Sequence, residues 1–171
     1  MTYDLFVNQM VDLFVRELIT FGENMREDLE IGIDTENGEW IDLGLPNTVP
    51  GENAMMVLRI SEENGTYTAL IKSKAGTYIP PHRHLGEVVV FVLEGEMHFR
   101  GGIVGKGGYN YEPAGAVHPA THHLVDTVYL AHVANGVIYF NSDGSDGPIY
   151  DWMSVKAKLD AHNASRSQLV N

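Results

Sequence analysis

The chain contains no cysteine. That excludes disulfides, thiolate metal sites and a cysteine nucleophile, and it fits a reducing compartment. Basic residues are scarce as well: 11 Lys and Arg stand against 23 Asp and Glu, a formal charge of −12 over 171 residues. A surface of that sign repels phosphate backbones and anionic headgroups, so neither nucleic acid nor a membrane is expected as a partner. No run approaches the roughly 20 uninterrupted apolar residues of a membrane span. The apolar stretch at 1–21 is interrupted by Asp4, Asp12, Arg16 and Glu17, and it has neither a basic leader nor a small-residue cleavage site. The expected location is the cytoplasm. Internal repeats, low-complexity tracts and nucleotide fingerprints are also missing; Gly105-Lys106-Gly107-Gly108 lacks the spacing of a phosphate loop.

What is present reads as one domain with a real core. Residues 4–21 carry a helical stripe of Phe6, Met10, Leu13, Phe14, Leu18 and Phe21, with Asp4 placed to cap it and Gly22 to end it. A helix that apolar packs on its own domain or contributes to a dimer contact. From Glu39 the pattern changes to short runs rich in Val, Ile, Thr, Tyr and Phe, punctuated by Gly, Pro, Asn and Asp. Ten strands are expected, at 39–43, 54–60, 66–73, 77–84, 88–94, 96–100, 109–113, 117–121, 127–133 and 137–141. Short strands at that spacing indicate an antiparallel sandwich or barrel. Residues 150–161 read as a short closing helix and the last ten as loose. The division is an N-terminal helix and connector (1–38), an all-β barrel (39–149) and a C-terminal helix and tail (150–171).

Most of the histidines lie in residues 76–123. His82 and His84 are two apart, so on an extended chain both project from one face. His118 follows the turn Pro113-Ala114-Gly115. Three neutral imidazoles meeting at one point suit a divalent transition metal, and imidazole by itself accommodates Fe, Zn, Ni or Cu. Glu112 enters the Pro113 turn, where a carboxylate can fix an imidazole tautomer or take a substrate proton. Arg100 shares a strand face with Glu96 and His98. His98 and His132 read as core histidines, and His122 and His123 as neighbours of the site or surface residues. Tyr109, Tyr111, Phe91, Phe99, Tyr129 and Phe140 are candidates for a pocket or for plain core.

The spacings resemble the two motifs of the cupin superfamily: Gly76, five residues, His82-Arg83-His84 and later Gly95; then Gly107, five residues, Pro113, Gly115 and His118. The resemblance implies a cupin-type antiparallel β-barrel, or jelly roll, with a helix at each end. One position departs from the motif. Counted back from Gly95, the place usually held by a glutamate ligand holds Val88, and Glu87 falls one residue early, on the opposite face of a regular strand. HRHLGEV, VLEG and YEPAGAVH look like the branch containing acetylacetone-cleaving dioxygenase and 2,4'-dihydroxyacetophenone dioxygenase. That branch implies a non-haem Fe(II) enzyme cleaving a C–C bond of a β-diketone or hydroxyketone with O2. His82, His84 and His118 would hold the metal, and Arg100, Glu112 and Thr121 would surround it. Zn, Ni or Mn are alternative metals. The main rival is a zinc-binding sensor domain of the anti-sigma-factor type, which the pattern also resembles, and an O2-independent hydrolase or isomerase is a third possibility. By analogy with barrels that leave edges exposed, a homodimer is expected.

Overall fold

The computed structural model describes residues 32–46 and 48–169. The helix expected over 4–21 lies outside the described residues. The chain divides into two compact units, Met1–Asn37 and Gly38–Asn171. In the first, Asp34 ties a bend together by accepting from the Glu36 backbone N–H (2.9 Å) and the Asn37 side-chain amide (2.7 Å).

The second unit is all-β with one helix. Its strands are β1 (Ile41–Asp42), β2 (Asn53–Ser61), β3 (Thr66–Ser73), β4 (Tyr78–Ile79), β5 (His82–His84), β6 (Val88–Glu94), β7 (Glu96–Phe99) and β8 (Gly102–Gly105), followed by β9 (Tyr109–Glu112), β10 (Val117–His118), β11 (Thr121–His122), β12 (Thr127–Ala134), β13 (Val137–Phe140) and β14 (Asp146–Tyr150). They form a six-stranded sheet in the order β1-β2-β3-β12-β6-β9 and two four-stranded sheets, β10-β5-β13-β14 and β4-β11-β7-β8. All pairings among the described strands are antiparallel, as a jelly roll requires.

The core follows from period-two alternation. Val88, Val90 and Val92 of β6 point inward, opposite Val133, Ala131 and Tyr129 of β12. On the other face of β6, Phe91 and Leu93 stay exposed. Met55, Tyr67, Ile71, Met97, Tyr139 and Tyr150 complete the interior. The β6–β7 turn depends on Gly95, which adopts a φ of +71°. A Cβ there would sit 2.2 Å from the Asp126 carbonyl oxygen, so only glycine fits.

Two strands were not anticipated. β8 and β14 are each the last strand of a four-stranded sheet. Their glycines, and Pro148 in β14, read as turn residues, but an edge strand tolerates a missing donor and a weak propensity. The C-terminal helix α1 (Trp152–Leu169) is longer than expected. Asp151 starts it by accepting from the Ser154 N–H at 3.0 Å, and Val155 is fully buried against the barrel. Its last turns are polar and were read as loose. They are held instead by Glu39, which His162 Nε2 approaches at 3.1 Å and Arg166 contacts in an ion pair.

Candidate metal centre

The site starts from β5. His82 and His84 face inward and are 6% and 2% exposed, while Arg83 between them turns outward to an ion pair with Asp146 at 2.7 Å. β10 pairs beside β5 in a register that sets His118 directly opposite His82. That register is held by the preceding turn. The Gly115 N–H donates to the His84 carbonyl, and the His84 N–H donates to the Ala116 carbonyl, both at 2.9 Å. Gly115 sits at a φ of +82°, which the tight turn before His118 needs.

The three rings converge. Their centroids are 4.9 Å (His84–His118), 5.0 Å (His82–His84) and 5.3 Å (His82–His118) apart. His82 Nδ1 lies 2.7 Å from the Pro80 carbonyl. A carbonyl only accepts, so Nδ1 carries the proton and the Nε2 lone pair faces the cluster. That Nε2 is 3.0 Å from His84 Nε2.

Glu112 joins them from β9. Its cross-strand partner on β6 is Val88, and the two share a face. Its Oε2 lies 3.3 Å from His84 Nε2 and its Oε1 3.6 Å from His118 Nε2. Asn110 donates to Oε1 at 2.8 Å. The ligand atoms of His84, Glu112 and His118 all lie within 4.8 Å of one another.

Electrostatics prepare these groups for a cation. Burial, opposed by the Pro80 hydrogen bond and helped by repulsion from His118, lowers the His82 pKa to about 4. Burial, with repulsion from His82 and His118, lowers that of His84 to about 3. Both imidazoles are therefore neutral, with free lone pairs, at neutral pH. Burial pushes the Glu112 carboxyl upward, while His118 and the Asn110 hydrogen bond pull it down. Two ring nitrogens of the cluster, His84 Nδ1 and His118 Nε2, are buried without a hydrogen-bond partner. Orphaned nitrogens of this kind are costly unless something else satisfies them. The donor set thus fits a divalent metal: three imidazoles converge, and the Glu112 carboxylate stands beside two of them.

His82, His84 and Glu112 of the cluster form part of the wall of a partly open cavity. Its other walls are mainly apolar and include Ile71, Met97 and Val90, with the tyrosines 67, 129, 139 and 150. Thr121, buried on β11, lines it too. Arg100 does not reach it. β7 ends at Phe99, and Arg100 is exposed on the following turn. Met97 is the β7 residue that faces the cavity, so Glu96 and His98 occupy the opposite face. Glu87 is exposed and accepts from the Tyr111 hydroxyl at 3.4 Å, away from the histidines. Of the aromatics read as candidates for pocket or core, Tyr129 lines the cavity, whereas Phe91, Tyr109 and Tyr111 are exposed. Tyr67, Tyr139 and Tyr150 were missed. Tyr139 lies opposite His82 on β13, a relation that needs the strand register and cannot be read from spacing.

The sequence profile of the ChrR cupin-like domain family matches residues 29–137. The chain belongs to that cupin family. No curated protein sequence matches it. Among solved structures, this cupin is similar to a protein of Methylibium petroleiphilum with the provisional name acetylacetone dioxygenase: 25% identity, a TM-score of 0.68, and coverage of 75% of this chain and 92% of the other. An acetylacetone dioxygenase of Acinetobacter johnsonii shares the fold at 21% identity and a TM-score of 0.69, over 81% of this chain and 95% of the other. A cupin-like protein of Ralstonia eutropha of unknown function shares it at 20% identity and a TM-score of 0.70, over 84% and 90%. The cupin therefore has the jelly-roll fold and resembles the acetylacetone-dioxygenase branch. Among the described residues no helix is long and apolar enough to cross a membrane.

Proposed function

We propose that this cupin is a metal-dependent dioxygenase that uses O2 to cleave a C–C bond of a β-diketone or hydroxyketone, with Fe(II) as its metal. One observation carries the reading. Buried imidazoles, two of them held neutral, and one carboxylate meet beside a largely apolar cavity. His82, His84 and His118 would hold the metal. When bound, it supplies positive charge that two substrate oxygens can share and that favours the ionised form of a diketone. Glu112, beside these histidines, would receive the proton lost from the carbon between the carbonyls. The Thr121 hydroxyl and the tyrosine-lined walls orient the substrate and exclude water. Arg100, exposed on the turn after β7 and not part of the cavity wall, is left out of this reading.

A second reading is a zinc-binding sensor without turnover, and the match to the ChrR cupin-like family favours it. Oxygen uptake by Fe(II)-loaded protein with a panel of β-diketones and hydroxyketones separates the two. The dioxygenase reading expects substrate-dependent uptake that His118→Ala abolishes. Tight zinc binding with no uptake for any ketone would establish the sensor instead.

A further inference from the structure

We infer that Glu112 is itself a metal ligand in the substrate-free protein, a carboxylate moved one strand sideways from the place where the cupin motif keeps its glutamate. This rests on the metal-site reading above but not on any catalytic activity.

The distances carry the first part of the case. Two donor atoms about 2.1 Å from one ion, at angles of roughly 90–109°, lie about 3.0–3.4 Å apart. The His82 Nε2 to His84 Nε2 separation is 3.0 Å, and His84 Nε2 to Glu112 Oε2 is 3.3 Å. The carboxylate therefore stands from His84 at the spacing of a second ligand on the same ion. Its other oxygen is 3.6 Å from His118 Nε2, so both oxygens face the cluster.

The second part concerns which nitrogen the carboxylate faces. A carboxylate that merely orients a ligating imidazole accepts from the nitrogen pointing away from the ion. At His82 that outer role belongs to Nδ1, bonded to the Pro80 carbonyl. At His84 the outer nitrogen, Nδ1, is buried with no partner. Glu112 contacts the inward Nε2 instead, on the side where a metal would be. Only Oε1 has a hydrogen bond, from Asn110, which leaves Oε2 as the coordinating oxygen.

Register supplies the third part. Val88 fills the motif position and lines the cavity, and Glu112 is its direct partner on β9. Opposite residues on paired strands share a face, with Cβ atoms roughly 4.5–5.5 Å apart. A carboxylate from position 112 can thus serve the same side of the ion as one from position 88. Glu87, the only acid next to that position in sequence, is exposed and engaged with Tyr111.

The test uses the full chain, with Co(II) as the probe and chelator competition and visible absorption as readouts. For Glu112→Gln we expect affinity more than 100-fold weaker than wild type and a shifted Co(II) absorption band, because a ligand has been lost. Glu112→Asp, which keeps the charge but shortens the reach, shifts the band as well. In Val88→Glu/Glu112→Val the carboxylate returns to the motif strand, and at least 10-fold of the affinity lost in Glu112→Val is regained. Melting curves confirm that each variant folds; should the double variant not fold, Glu112→Gln and Glu112→Asp decide alone. A Glu112→Gln protein with an unchanged band overturns the inference, whether its affinity is untouched or falls within the 10–100-fold typical of an indirect partner. Failure of the wild-type protein to bind Co(II) at one equivalent overturns the metal-site reading itself.

Discussion

Two groups of histidines invite comparison. On β5 and β10, His82, His84 and His118 come from positions two apart and from a directly opposed strand, and all three rings meet. On β7, on β11 and just after it, His98, His122 and His123 are just as close in the chain and across the sheet, since His122 pairs with His98. Yet those rings scatter. His98 bonds Glu96 at 2.7 Å on the outer face, and His122 is exposed beside Tyr78. His123, adjacent to His122 and therefore on the other face, is fully buried and stacked on Tyr129 at 5.9 Å. Histidine density does not make a site. Parity along the strand and register across it decide whether imidazoles converge.

Breaking the first group has the largest expected effect. His84→Ala or His118→Ala abolishes stoichiometric metal binding, whereas His98→Ala/His122→Ala binds within about twofold of wild type by chelator competition; equal losses in both would erase the distinction. Acid sharpens the comparison next. His82, His84 and His123 are held neutral by burial, at about 4, 3 and 4. In the unfolded chain they titrate near 6.5. Below that pH the unfolded state binds protons that the native state does not, so stability is lost as pH falls from about 6.5 towards 4. The slope is at most about 1.4 kcal/mol per pH unit for each histidine. Denaturant melts of metal-free protein across this range measure it. His123 tests whether the second group serves only packing. Both of its ring nitrogens are buried without partners, which costs about 1–3 kcal/mol. His123→Phe keeps a ring against Tyr129 and is expected to raise stability by about 1 kcal/mol and flatten the acid limb, with metal affinity unchanged. The smallest effect is Arg100→Ala, for which metal affinity and stability stay within error of wild type; a large drop in metal affinity would mean that Arg100 reaches the cluster.

The sequence was most legible where side chains alternate. β3, β6 and β12 have Val, Leu, Ile and Tyr at period two, and their spans were read nearly to the residue. It was least legible at edges, where β8 and β14 carry Gly and Pro and no described strand pairs on their outer side. The C-terminal helix was cut short because its final turns carry no apolar stripe; Glu39, more than 120 positions upstream in sequence, holds them. At the candidate site, the histidine spacings were sufficient to bring the three rings together, and Glu87 faces outward as parity requires. The relation of Glu112 to Val88 was hidden, because it exists only in the register between β6 and β9. The position of Arg100 outside the cavity wall was hidden for a related reason. Sharing a face with His98 meant sharing the face opposite Met97, and only the structure shows which of the two borders the cavity.

The pairing of β5 with β10 has a kinetic consequence. It joins segments more than 30 residues apart in sequence, with His118 opposite His82, and contacts of that separation are slow to form. A metal gripped across this pair is bound by the assembled sheet and not by the unfolded chain, so it stabilises by mass action, by about 2.7 kcal/mol at a free concentration 100 times the Kd. Interactions formed after the folding barrier act on escape from the native state rather than on arrival there. If the pair closes after the folding barrier, loading would leave the folding rate nearly unchanged and lengthen the native lifetime, so that a bound ion would act as a latch on the finished barrel.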